Sequence, residues 1–214
     1  KVRARVWDLI AARHGRIPAA LVPTGDLGDT IVLRIDAHFI DTVSRKEHAA
    51  RLRGRYGHHP MAVICDNTGE CLADHLRPGN AGANDAADHI ALLKRAIAQL
   101  PARYRANLLI TADGAGATHD LLDWITALNQ PADGDDPGIR VEYSVGWPVD
   151  KHTGKAIAQL PAQAWTAMLA ADGLPGTPAT LDAESGPDTV GEVAEITHLL
   201  HHLHTWPPGL RVFV

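Results

Sequence analysis

Cysteine is nearly absent from this chain: 214 residues carry two, Cys65 and Cys71. That excludes a disulfide framework and leaves too few thiolates for a zinc ribbon. Cys65 falls inside the apolar run MAVIC, which predicts a buried thiol. No apolar run is long enough to span a bilayer and no signal-peptide pattern opens the chain, so a cytoplasmic protein without membrane contact is expected. An excess of positive charge is also missing. The formal net charge is -5, so any surface for nucleic acid must be a local patch. No G-x-S-x-G occurs, and a buried Cys65 is a poor nucleophile, so serine and cysteine catalysis find no support.

What is present is an ordinary globular composition, 45% apolar, enough for one large domain or one domain plus part of another. Charge is unevenly spread: segment 45–55 reads RKEHAARLRGR, while acids gather later in DGDD and LDAESGPD. Residues 2–12 place Val2, Val6, Leu9 and Ile10 on one helical face, and Gly and Pro punctuation follows, which predicts a lead-in helix outside the core. IVLRIDA then alternates, setting Asp36 on the face opposite the row of Ile31, Leu33 and Ile35. FIDTV is expected to form a hairpin with it, and the basic segment to be a loop. HPMAVICD and GECLADHL read as two more strands joined by a turn at Asp66, Asn67, Thr68 and Gly69, with His58 and His59 at strand entry.

The clearest helix runs over 84–100, with an apolar stripe of Ile90, Leu93, Ile97 and Leu100, a cap at Asn84 or Asp85, and a stop at Pro101. NLLITADG turns Leu108 and Ile110 one way, and Leu109, Thr111 and Asp113 the other. THDLLDWITALNQ starts a helix at a Thr118 cap, and VEYSVGWP is another strand. Beyond Pro148 the segments shorten and Trp147, Trp165 and Trp206 recur as expected core, with stacking of one of them on a flipped base as the alternative, and EVAEITHLL and RVFV are candidate strands.

This order predicts an α/β protein: an RNase H-like mixed sheet flanked by helices, with part of a β-rich insertion domain. A doubly wound nucleotide fold fits less well, because no Gly-rich turn follows the first strand. The expected division is a lead-in helix and linker over 1–30, a core over 31–149, and part of an insertion domain over 150–214. The start at Lys1 and the end on RVFV suggest a piece of a longer protein.

Asp36 and Asp113 each close a strand. Two carboxylates at neighbouring strand ends supply the hard oxygen donors that magnesium or manganese takes beside a phosphodiester. Turn formation alone would also explain an Asp-Gly at 113–114. Arg45, Lys46, Arg51, Arg53 and Arg55, with Arg77 before Pro78, are candidate phosphate contacts, the alternative being a solvated surface. HLLHHLHT places His198 and His202 four apart, yet it lacks the Glu of a metalloprotease helix, and the segment 198–204 reads as structural or solvated.

IDAHFIDTVSRKEHAA, RYGHHPMAVICDNTGECLADHLRPGNAGANDAADHI, LLITADGAGATHDLLDWI and VEYSVGWPV, in this order, resemble the DDE transposases of bacterial insertion sequences, in the branch with an RNase H-like catalytic domain interrupted by a β-rich insertion. The resemblance implies DNA transposition, with Asp36 and Asp113 as two of three carboxylates holding two Mg2+ or Mn2+ ions. It also implies transposon-end and target DNA as partners, and a homodimer in the intact protein. The third carboxylate, expected on a later helix among basic and aromatic residues, has no counterpart after residue 149; Glu192 and Glu195 lie in a strand-like context. The alternatives are a DNA-binding remnant without catalysis and a small metal-dependent nuclease of the same fold class.

Overall fold

The computed structural model describes residues 2–22, 25–42, 46–131, 138–169 and 191–214. The chain divides into two compact units, Lys1–Ala20 with Gly28–Gly146, and Leu21–Leu27 with Trp147–Val214. Helix α1 (Val2–His14) opens unit 1, whereas the short paired strands β1 (Leu21–Val22) and β2 (Gly25–Asp26) belong to unit 2. No helix among the described residues is long and apolar enough to cross a membrane.

Unit 1 is built on β3 (Ile31–Ala37). Its first residues Ile31, Val32, Leu33 and Ile35 are all buried, as in a central strand covered on both faces; alternation returns only where Arg34 and Asp36 face solvent. Two small strands, β4 (Ile40–Asp41) and β5 (Ala50–Leu52), and then β6 (Arg55–His58) form a separate three-stranded sheet of order β4-β6-β5. Strands β7 (Met61–Cys65) and β8 (Glu70–His75) follow, joined by the predicted turn: Gly69, at φ +69°, donates its N–H to Cys65 O. Cys65 is fully buried, and that burial pushes its thiol pKa up.

Helix α2 (Ala86–Gln99) is capped by Asp85, whose carboxylate accepts the Asp88 N–H, and it packs on β8 and β7. Strand β9 (Asn107–Ala112) lies parallel to β3, and helix α3 (His119–Ala127) begins at a Thr118 cap and packs on β10 (Arg140–Val145), itself parallel to β9. The sheet order is β10-β9-β3-β7-β8, with β7 antiparallel to its neighbours. A mixed sheet with its first strand in the centre is the RNase H-like arrangement predicted from the element order. Each fully buried aliphatic side chain, such as Leu33, Leu93, Ile110 or Leu122, contributes roughly 1.5–3 kcal/mol.

Three expectations give way here. FIDTV does not pair with β3; its strand β4 pairs with β6 instead, because His38 and Phe39 carry the chain away from the main sheet. The basic segment is a loop only in part: residues 46–49 are turn and coil, but Arg51 and Arg55 lie in strands joined by a two-residue turn in which Arg53 (φ +49°) and Gly54 (φ +85°) are left-handed, the twist a tight hairpin requires. Helix α1 does not bury its expected face. Val2, Val6 and Leu9 are exposed, and Trp7 is wholly buried. The larger ring wins because its indole N–H also has an acceptor, Glu70 Oε2 at 2.6 Å. Arg3 Nε donates to Glu70 Oε1 at 3.2 Å, and Thr68 Oγ1 donates to Oε2 at 3.0 Å.

Unit 2 contains α4 (Lys151–Ile157) and the antiparallel strands β11 (Thr166–Ala167) and β12 (Glu192–Val193). Its core is aliphatic: Ala156, Ile196, Leu200 and Val212 are buried. The expected tryptophan core is found in part: Trp147, Trp165 and Trp206 are half-buried, Trp147 packs against the aliphatic cluster, and Trp147 and Trp206 meet edge to face at 5.0 Å. EVAEI and RVFV do pair: Ala194 and Val214 exchange both backbone hydrogen bonds at 2.9 Å.

Burial opposes ionisation of Glu70, but hydrogen bonds from Trp7, Thr68 and Arg3 and the Arg3 charge together hold its pKa below the ordinary carboxylate value. Its contribution to stability is therefore complete near neutrality and is lost as pH falls through the lowered folded pKa. Glu70→Ala is expected to reduce unfolding free energy near neutral pH by about 1–3 kcal/mol. Urea titrations of both proteins at neutral and acid pH check this, and the difference should shrink on acidification.

Candidate active site

The parallel pairing of β3 and β9 runs from Ile31↔Leu108 to Ile35↔Ala112. One residue further along each strand stand Asp36 and Asp113, so the register sets two carboxylates side by side at the same end of adjacent central strands. Both residues are exposed. Asp36 still pairs with Ala62 of β7, and its Oδ1 accepts the Ala37 N–H at 2.7 Å. Asp113 caps a single 3-10 turn, Gly114–Gly116, with Oδ1 accepting from Ala115 N–H at 3.0 Å. The second oxygen of each carboxylate has no protein partner among the described residues, which leaves both free to take an external ligand.

Glycine is required around Asp113 by close packing. A Cβ on Gly146 would lie 2.5 Å from Gly114 N and 3.0 Å from Asp113 C, and one on Gly116 would lie 2.6 Å from Ala112 Cβ. Gly146 N–H also donates to Ala112 O at 3.1 Å, tying the end of β10 to the end of β9. The ADGAG sequence is thus a tight turn wedged against the end of the neighbouring strand.

The small sheet rises from this same end. Its first strand starts three residues after Ala37, its last ends three residues before Met61, and Ala37 and Met61 are partners. His38 N–H donates to Pro60 O at 3.0 Å and closes its base. The RPG segment locks it from the side. His59 N–H donates to Arg77 O, Pro78 bridges His58, and a Cβ on Gly79 would lie 2.2 Å from Gly57 O and 2.4 Å from Ala50 O.

Lys46, Arg51 and Arg53 are exposed and make no ion pair among the described residues. Arg55 differs, because it is bound to Asp41 through two hydrogen bonds. Arg45 lies outside the described residues. Arg77 requires a correction. It is 1% exposed, and its guanidinium donates to His59 O (3.1 Å), Gly82 O (2.9 Å) and Asp88 Oδ2 (3.1 Å), so it cannot meet a phosphate. It holds the RPG loop to the start of α2 instead, with Nη2 buried and without an acceptor. Sequence reasoning missed Phe39, Asp41 and the packing glycines Gly57, Gly79 and Gly146, since their roles depend on contacts between separate strands.

Among the described residues no group of three or more His, Cys, Asp or Glu side chains is placed to hold a metal ion. Glu195 of unit 2 is committed elsewhere: its carboxylate takes Arg211 Nε at 3.1 Å and Nη2 at 2.6 Å, and Thr197 Oγ1 at 2.8 Å. Glu192 is exposed on β12. The histidines of 198–204 sit in two 3-10 turns rather than an α-helix, which removes the helical spacing of His198 and His202; His202 stacks on Trp147 at 6.3 Å between centroids.

The five-stranded sheet, with β3 at its centre and β9 parallel to it, is RNase H-like. The chain matches the family Transposase DDE domain group 1 over residues 25–213, and it belongs to that family. No curated protein matches it. Among solved structures it is similar to the piggyBac transposase synaptic complex with hairpin DNA, at 14% identity and a TM-score of 0.41, covering 74% of this chain and 30% of that one. It is also similar to the Mos1 strand transfer complex, at 14% identity and a TM-score of 0.34, covering 73% and 46% of the two chains. The Mos1 mariner paired end complex with Mn gives 13% identity and a TM-score of 0.35, covering 73% and 47%. The chain thus spans less than half the length of these proteins.

The Arg211 hydrogen bonds, then that of Thr197, hold the Glu195 pKa at about 2, below its ordinary 4.5. A lowered carboxylate pKa means that the pair stabilises fully above the unfolded value and loses that contribution as pH falls toward 2. Hydrogen-exchange protection at the Ala194 and Val214 amides is expected to fall between pH 5 and pH 2. In Glu195→Gln it should be lower at pH 5 and nearly independent of pH.

Proposed function

We propose that this chain carries the first two metal-binding carboxylates, Asp36 and Asp113, of a DNA transposase that cuts and joins DNA at transposon ends. The observation that carries this reading is the β3–β9 register, which sets the two aspartates side by side, one residue past the last pair. The donor set fits a hard divalent cation in part: two exposed carboxylates, each with one oxygen free, offer oxygen ligands to an ion that keeps several waters. A divalent ion bound there supplies Lewis acidity toward a phosphodiester oxygen and an attacking water or 3′-hydroxyl. The residues of the chain do the rest. The Ala37 and Ala115 amides orient the two carboxylates. Lys46, Arg51 and Arg53, exposed at the same end of the sheet, offer phosphate contacts that fix DNA without reading its sequence.

A second reading is a DNA-binding remnant without catalysis. It is favoured by one observation, the lack of a third acidic ligand among the described residues.

Calorimetric titration of Mg2+ and Mn2+ into this chain and into the Asp36→Asn, Asp113→Asn double variant separates the two. Saturable binding in the chain, abolished in the variant, is expected on the first reading. Equal heats from both proteins, together with salt-sensitive binding to duplex DNA, would establish the second.

A further inference from the structure

Arg55 is the one basic residue of the small sheet whose described surroundings do not suit a phosphate. Its Nε and Nη2 donate to the two oxygens of Asp41, at 3.0 and 2.5 Å, in the fork-to-carboxylate geometry that fixes the guanidinium plane. Asp41 therefore offsets its charge and repels any anion approaching the same nitrogens. The pair stays ionised, since hydrogen bonding, the leading cause of both shifts, lowers the Asp41 pKa and raises that of Arg55. Arg55 Cζ lies over the Phe39 ring, 4.6 Å from its centroid, so the guanidinium is also in cation–π contact. Its side chain remains 56% exposed. Phe39 stands three residues beyond Asp36, at the base of the small sheet, and its ring is tilted against that of the buried His59 at 6.4 Å.

A planar cation held in orientation by a carboxylate, backed by an aromatic ring and open to solvent, is poorly suited to compete for phosphate and well suited to present a flat face. We propose that Phe39, Arg55 and Asp41 form a stacking platform for an unpaired DNA base beside the Asp36–Asp113 carboxylates. The inference rests on the DNA reading above and refines it: Lys46, Arg51 and Arg53 hold the backbone, while Arg55 holds a base. A base inside a duplex has both faces covered by its neighbours, so only an unstacked base at an end, a gap or an overhang can use the platform.

The test compares a blunt duplex with the same duplex bearing a single-stranded overhang that contains 2-aminopurine. Affinity is measured over a series of salt concentrations, with quenching of 2-aminopurine fluorescence reporting stacking. The chain is expected to prefer the overhang and to quench it. Arg55→Lys keeps the charge and loses the planar face; it should lose the overhang preference by roughly tenfold, and the quench, with an unchanged salt slope. Phe39→Leu should behave in the same way, and Asp41→Asn, which frees the guanidinium without removing it, should weaken the quench. Arg53→Asn suits the left-handed turn position and removes one backbone contact, so it should weaken both DNAs equally and lower the salt slope by about one.

The platform is overturned if Arg55→Lys retains both preference and quench. It is also overturned if Arg55→Ala lowers the salt slope as Arg53→Asn does, since that is the signature of a phosphate contact. Failure of the parent chain to bind either DNA overturns the DNA reading itself and the platform with it, an outcome distinct from DNA binding without the preference.

Discussion

The arrangement at the aspartate end of the sheet depends on how β3 is paired. It lies between an antiparallel neighbour, β7, and a parallel neighbour, β9, and each pairing does a different job. The parallel one aligns the two strand ends that carry Asp36 and Asp113. A slip of one residue would turn one of those side chains to the other face of the sheet. The antiparallel one returns the chain at Met61 opposite Ala37, so whatever lies between must project from that same end. The register is protected by burial, because Ile31, Leu33 and Ile35 of β3 and Met61, Val63 and Cys65 of β7 are all withdrawn from water.

From this follows the position of the small sheet. A chain leaving β3 at Ala37 and re-entering at Met61 forms β4, β5 and β6 in the interval, with the left-handed Arg53–Gly54 turn at its tip. The sheet is too small to bury a core of its own. Its rigidity comes from the RPG segment, in which Gly79 admits backbone contact with Gly57 and Ala50, and from Arg77 beneath it. Burying that guanidinium carries a desolvation cost, which Asp88 and two carbonyl acceptors offset. Basic side chains on such a frame belong to a folded element inserted where β3 ends, whereas the same residues on a loop would have to be ordered by the ligand.

Unit 2 is held by different means. Its core is a small aliphatic cluster around Ile196 and Leu200, and its strand pairing is reinforced by the Glu195–Arg211 pair, with Arg211 also laid over Phe213 at 4.7 Å. Glu195, which sequence position alone leaves open as a metal ligand, is ion-paired with Arg211 in this structure.

The sequence by itself determined the local elements and the order in which they come. Alternation marked IVLRIDA and NLLITADG, caps at Asp85 and Thr118 started the two main helices, and glycine placed the β7–β8 turn. It also named Asp36 and Asp113, since a strand end followed by a turn is a local pattern. What only the tertiary structure decided was which groups neutralise one another. Arg77 and Arg55 read as equal members of a basic set, but one is buried against Asp88 and the other is clamped by Asp41. Trp7 displaced the expected face of α1 because its acceptor, Glu70, lies 63 residues away. Periodicity reports the side a residue faces. Charge pairing and close packing depend on partners that only the folded chain brings within reach.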